Sequence, residues 1–468
     1  VRKHIVVLAA IAVFPGTSWA LDQALLKAAE EAMHKGVHYF RTEVAYGGGY
    51  LGTYLPDLSD QWGEGHATRT QNWIQPPGSP SVGFAFLRAW EATGDKFYLD
   101  GAKEVADALV YGQLECGGWY YIVDHAPEGA KRYYYRHNKD SDDESLKSGR
   151  NQATFDDNVT QHATRLLMAV DQALGEKDAA IHDATLYALD FMLRAQHESG
   201  GWSQRYPLSG RGYGDFFTFN DNTIRDCTDV MMIAYRTYGD ERYADAVRKC
   251  GDFIIKAQLP EPQAIWGQQY DFDLKPAWAR RFEPPGACAG ESRGVLSLLV
   301  QIALFTGDAK YLEPIPKALD WYKRSALPNG RWARFYELKT NRPLYLTSDN
   351  RTSYWLTYDD SDLPDHYGFQ SGSYPTSVEN AYNEIMQQGL EAYAKSREPE
   401  PMTPEQKVAR AEAMETNVRQ ALKEQDEMGR WITTTGGYGA DGGAKIFTRV
   451  FQDRMRVLSE YVRLARGR

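Results

Sequence analysis

Four times along this chain, two helical stretches joined by a Gly-containing turn end at a tryptophan, in most copies after Gly or Gly-Arg. One copy runs from Phe84 to Trp119 and a second from Thr164 to Trp202, with Gly175 at its turn. A third runs from Asp229 to Trp266, turning at Gly239-Asp240, and a fourth from Leu296 to Trp332, turning at Gly307-Asp308. Weaker copies end at Gly47-Gly48-Gly49-Tyr50 and at Gly429-Arg430-Trp431. The Gly suits a helix C-cap and the following Asp suits the positive end of the next helix. In the first copy Phe84 and Leu87 are spaced to meet Leu99, Ala102, Val105, Ala106 and Leu109 across the turn. One helix pair cannot bury its apolar faces alone, so repeated pairs must stack into an open solenoid or a closed ring.

The connections decide between these. Tyr120 to Gln152, Trp332 to Asn380 and Trp431 to Ala444 are long, and the first two are rich in tyrosine and arginine. A solenoid keeps its connections short and regular, and long ordered loops usually carry function. The expected fold is therefore all-α, an α/α toroid with its long loops clustered over a central cleft. A single domain is expected over 21–468, with residues 396–404, around EPEPMTP, read as a linker into a last charged helix.

The formal charge is −10, which leaves no basic footprint for nucleic acid. Thirty tyrosines and twelve tryptophans are enough to fill a core and still face a sugar-binding cleft. Arg2-Lys3-His4, the apolar run Ile5 to Phe14 and Ser18-Trp19-Ala20 read as a signal peptide over 1–20, which predicts a secreted or periplasmic protein. Nothing later is long and apolar enough for a membrane helix. The four cysteines are too few for a disulfide scaffold; Cys227 and Cys250 are read either as a bridge or as buried thiols.

Chemistry concentrates in the connections. Thr154-Phe155-Asp156-Asp157-Asn158 echoes Thr218-Phe219-Asn220-Asp221-Asn222, and each precedes a helix. Either both are N-caps, or both bring carboxylates to a shared cleft, where hard oxygen ligands suit Ca²⁺. Asp271, in WGQQYD, is a further cation or substrate ligand. Arg205 and Tyr206 are candidate substrate contacts just upstream of the second motif. Arg331, Arg334, Arg342 and Arg351 punctuate an aromatic stretch and suit bidentate recognition of carboxylates. Asp359-Asp360-Ser361-Asp362 with Asp365-His366-Tyr367 is another candidate cation site.

GGWSQRYP…FTFNDN, WGQQYD and RWARFYELKTNRP resemble the signature segments of the family-ten polysaccharide lyases, pectate lyases with an α/α toroid. The resemblance, from about Ser81 to Pro343, implies calcium-assisted β-elimination on polygalacturonate. It implies that Asp221 contacts calcium with Asn222 beside it, that Asp271 is an acidic cleft residue, and that Arg334 meets a substrate carboxylate. Asp157 joins Asp221 and Asp271 as an expected metal ligand. The family pattern continues to a Ser-Gly-Arg-Asp segment whose arginine is the base; counted without gaps, Ser348 stands there. Arg351, Arg342 and Arg334 are the candidate catalytic arginines, with His366 or Tyr367 as further candidates for the base. The expected partner is an acidic polysaccharide, not nucleic acid or membrane, and the chain is expected to act as a monomer. A toroid glycoside hydrolase using Asp157 and Asp221, or a non-catalytic uronate-binding homologue, are the alternatives.

Overall fold

The computed structural model describes residues 22–439 and 442–468; the leader read at 1–20 lies outside the described residues. The chain forms an α/α toroid. Its helices are α1 (Gln23–Tyr39), α2 (Ser79–Thr93), α3 (Lys96–Gly112), the one-turn α4 (Pro127–Ala130), α5 (Val159–Ala173), α6 (Ala179–Ala195) and α7 (Thr223–Tyr238). They continue with α8 (Glu241–Ala257), α9 (Ala289–Thr306), α10 (Ile315–Arg324), α11 (Thr376–Gln388), α12 (Leu390–Ser396), α13 (Pro404–Glu424) and α14 (Thr448–Ala465). Helices α2, α5, α7, α9 and α11 pack consecutively as the inner layer, with α3, α6 and α8 outside them.

The repeat signals work as expected. Gly94, Gly239 and Gly307 end inner helices in the left-handed conformation, and Asp95, Asp240 and Asp308 cap the next helical segment through their side chains. The terminal tryptophans lock each pair. The indole Nε1 of Trp119 donates to Leu109 O, Trp202 to Met192 O, Trp266 to Ile254 O, Trp332 to Tyr322 O and Trp431 to Ala421 O, at 2.8–3.0 Å. Gly200, ahead of Trp202, has φ +102° and lies so close to α8 that a Cβ would sit 2.0 Å from Lys249 O. A glutamine after each of four outer helices stitches its own turn to the next pair. Gln113 Nε2 donates to Gly117 O and Ala184 O, Gln196 to Gly200 O and Ala246 O, Gln258 to Ala264 O and Pro314 O, and Gln425 to Gly429 O and Ala32 O.

The Gln425 bond is long-range: it ties the C-terminal pair back to α1. Helix α14 packs on α2 and α13, and α1 packs on α14. The two ends of the chain thus build one hairpin between them, so Tyr50 takes the place of a terminal tryptophan, buried at 1% exposure. One hydrophobic cluster runs from Leu25 to Leu464. Cys116, Cys227, Cys250 and Cys288 are all buried and free.

Each exit from an outer helix pairs with the approach to an inner one, all at one end of the toroid. Ala153–Thr154 pairs antiparallel with Arg205–Tyr206, Phe217–Thr218 with Gln269–Tyr270, and Ala287–Cys288 with Phe335–Tyr336. These short ribbons fix where the connections hold their polar side chains.

Candidate functional site

The duplicated motif is duplicated in space. Thr154 Oγ1 accepts from Asp156 N, and Thr218 Oγ1 from Asn220 N, both at 3.1 Å. Phe155 N donates to Gln204 O and Phe219 N to Gln268 O, both at 2.9 Å. The chain then makes one tight turn. Asp157 (φ 48°, ψ 29°) and Asp221 (φ 48°, ψ 30°) are left-handed, and so are Asn158 (φ 60°) and Asn222 (φ 59°) after them. Asp and Asn tolerate this region best among residues with a side chain, and such strain collects at functional sites. The N-cap reading fails: neither Asn158 nor Asn222 makes a side-chain cap bond.

The two turns bring Asp156, Asp157 and Asp221 together, with one oxygen of each within 4.8 Å of the others. Tyr121 OH donates to Asp156 Oδ2 at 2.9 Å and to Asp157 Oδ2 at 3.4 Å. Asp156 Oδ1 is buried without a partner. Burial first, then the charges of Asp156, Asp221 and Glu64, push the Asp157 carboxyl up to about 7. Asp221 opens to solvent, yet protein rings it on the cleft side. That surrounding protein, then Asp156, raises it to about 6, against the opposing pull of Arg280.

Arg334 reaches the second of these turns from the segment after α10. Its Nη2 donates to Glu291 Oε1 at 2.5 Å and to Asn220 Oδ1 and Gln268 Oε1 at 3.4 Å. Its guanidinium lies 4.4 Å from the Tyr367 ring centre. Burial opposes its charge, but Glu291 and the other acidic groups around it outweigh that and hold its pKa above the usual arginine value. Glu291 also accepts from Cys288 Sγ at 2.6 Å. Behind Tyr367, whose OH donates to Glu283 at 2.8 Å, Arg280 clamps the buried Glu283 with two bonds of 2.8 and 2.6 Å.

Of the residues singled out in the sequence, the structure gathers Asp157, Asp221, Asn222 and Arg334 at one cleft. Arg205 lies on the ribbon beside them, its Nε buried and unpartnered. Tyr206 turns its ring edge onto Phe191 of α6, 5.7 Å between centroids, and belongs to the packing. The structure does not bring Asp271 to the carboxylates; its Oδ1 accepts from Asp273 N and Lys275 N in a local turn. Asp156 takes the third place instead. Arg351 does not reach the cleft either: it pairs with Asp365 on an exposed loop. Arg342 stacks 3.6 Å over Tyr358. His366 accepts or donates to Tyr354 OH on that same loop. The acidic run from Asp359 forms no metal-type group among the described residues.

Tyr121, Gln268 and Glu291 escaped the sequence reading. Two of them had a signal: Tyr121, Gln204, Gln268 and Arg334 each stand two residues after a terminal tryptophan. That position of the repeat is the one aimed at the cleft, and Gln204 Oε1 and Gln268 Nε2 are buried there without partners.

Residues 123–331 match the family model described as pectic acid lyase. The chain resembles the pectic acid lyases. The matched stretch contains Asp156, Asp157, Asp221 and Glu291 and stops just short of Arg334, and it supports a polysaccharide lyase. No curated protein matches the chain. Among solved structures, a family 10 polysaccharide lyase from Cellvibrio cellulosa is similar at 24% identity, over 65% of this chain and 95% of its own, with a TM-score of 0.45. A mutant of the family 10 lyase from the same organism, in complex with trigalacturonic acid, is similar at 23% identity, over 66% and 98%, with a TM-score of 0.46. A sugar epimerase from a ruminal bacterium is similar at 12% identity, over 94% and 98%, with a TM-score of 0.46.

Proposed function

We propose that the protein cleaves polygalacturonate by calcium-assisted β-elimination, with Asp156, Asp157 and Asp221 holding the cation and Arg334 facing the reacting uronate. The observation that carries this is the crowding of three carboxylates within 4.8 Å, inside the stretch that matches the pectic acid lyases and near a half-buried arginine that bonds Asn220 of the same turn. The donor set fits a hard divalent cation. Its oxygens are carboxylate, Asp156 Oδ1 is orphaned, and Asp157 and Asp221, raised first by burial and then by neighbouring carboxylates, carry charge that a cation would neutralise. Bound there, calcium supplies positive charge against a uronate carboxylate that becomes more negative as its neighbouring proton is lost.

The chain's own residues provide the rest. Loss of the C5 proton turns the C5–H electron pair into a C4–C5 double bond, the C4–O4 bond breaks, and O4 departs with a proton from water. A guanidinium whose pKa exceeds about 12 is a poor base by itself. Arg334 escapes this through Glu291. Glu291 takes the Nη2 proton along the 2.5 Å bond, and the neutral guanidine this leaves then accepts the C5 proton on its lone pair. Arg334 is neutral only between the two transfers and ends cationic, so on balance one proton has moved from C5 to Glu291. The Tyr367 ring holds the guanidinium in place.

A hydrolase reading requires two carboxylates about 5–9.5 Å apart with the sugar between them. These carboxylates sit side by side and closer than that, which favours a shared cation. Export, proposed from the start of the chain, would bring a monomeric enzyme to a polymer that lies outside cells. The test is ultraviolet absorbance during incubation with polygalacturonate and calcium. Growth from a 4,5-unsaturated product is expected; shortened products without it would establish hydrolysis instead.

A further inference from the structure

The cleft wall that carries Asp221, Glu291 and Arg334 continues between the heads of α7 and α9 as a cavity of ≈330 Å³. Its wall on α9 runs from Gly290 to Leu298, a depth of about 12 Å along the helix. Two features mark it as space for a ligand. First, α9 presents glycine where side chains would otherwise fill the room. A Cβ on Gly290 would meet nothing within 4 Å, and one on Gly294 would meet only Asn222 Oδ1, at 3.9 Å. Second, Arg225 and Arg293 line the cavity without an ion-pair partner among the described residues, whereas Arg334 is paired with Glu291. Arg293 Nη1 donates only to a backbone oxygen, Ser373 O, at 3.1 Å. Both helices also begin here, and their positive ends favour an anion.

Resting on the lyase reading, we infer that this cavity takes the terminal uronate of an acidic chain, its carboxylate held by Arg225 and Arg293, so that the enzyme works from chain ends and on short oligouronides. A depression sunk between two helices admits an end or a short fragment. The substrate class is thus uronate oligomers with a free terminal residue.

Gly294→Leu tests this cleanly. Gly294 is helical with no positive φ and its Cβ direction is open, so leucine fills the cavity without strain and with better helix propensity. Initial rates on trigalacturonate and polygalacturonate, viscosity, and thermal midpoints are measured for wild type, Gly294→Leu, Arg225→Gln and Arg293→Gln. Expected are unsaturated product well ahead of viscosity loss, an unchanged or raised midpoint for Gly294→Leu, and KM for trigalacturonate up roughly tenfold or more in each variant, the size of a lost charge-assisted bond. An active lyase with early viscosity collapse and unaltered KM in all three variants overturns the inference while sparing the lyase reading. If no polyuronate is cleaved, the lyase reading fails, and calorimetry with digalacturonate still decides the cavity. Binding to wild type but not to Gly294→Leu supports it; equal binding, or none to either, rejects it.

Discussion

If the carboxylate cluster holds a cation as proposed, its binding should depend steeply on pH. Asp157 and Asp221 are pushed to about 7 and about 6 from an ordinary 3.8, first by burial and then by neighbouring carboxylates. A cation must displace those protons to bind. At pH 5 roughly 1 molecule in 100 has the first group ionised and roughly 1 in 10 the second; at pH 8 nearly all have both. Apparent calcium affinity should therefore weaken roughly 100–1000-fold between pH 8 and pH 5. The same shifts act on folding. The unfolded chain gives up these protons near pH 4, whereas the folded chain keeps them until about pH 6–7. Between those limits the cation-free folded state binds more protons than the unfolded state, so its stability is highest at the acid end and declines as pH rises to 7. Saturating calcium removes that decline. Calcium titration by calorimetry at half-unit pH steps, with thermal midpoints in chelator and in excess calcium, reads both effects. An affinity that moves less than tenfold from pH 5 to pH 8 would refute the reasoning.

Glu291→Gln keeps a hydrogen-bond acceptor for Arg334 but loses the proton's destination, so kcat should fall roughly 100–10,000-fold with little change in KM; steady-state kinetics on polygalacturonate decide it. Arg351→Ala removes only an exposed ion pair with Asp365 and should leave kcat unchanged and stability within about 1 kcal/mol; an inactive, folded variant would put Arg351 back in the reaction. Gln425→Ala strips the bonds to Ala32 O and Gly429 O at the junction of the chain's two ends and should cost about 1–3 kcal/mol in chemical denaturation, with activity retained at low temperature. Tyr121→Phe frees Asp156 and Asp157 of their shared donor and should weaken calcium binding while leaving the fold intact.

The fold was legible because its punctuation is chemical and local. A Gly that must be left-handed, an Asp that caps, and a Trp whose indole reaches back to a helix carbonyl announce themselves in each of the four clear copies. The joining of the two ends was not, because α1 and α14 are at opposite ends of the sequence and no short-range pattern says that Gln425 will bond Ala32. In the site, the repeated Thr-Phe-x-Asp-Asn was visible, but its left-handed geometry was not, since Asp-Asn before a helix equally describes a cap. Asp271 misled because an acid in a cleft-forming segment can be consumed by its own turn, and Lys275 N and Asp273 N consume it. Arg351 misled because counting along a chain does not reveal which loop residues face Asp365. Tyr121 and Gln268 were hidden in a phase of the repeat whose direction is set by the short ribbons.

Anomalous diffraction from crystals soaked in manganese, a heavier stand-in for calcium, puts the central claim to its most direct trial. The account predicts one strong peak within coordination distance of Asp156, Asp157 and Asp221, absent from crystals of Asp157→Asn. A catalytically active protein whose only ordered cation lies elsewhere, with those three carboxylates bare, would contradict it.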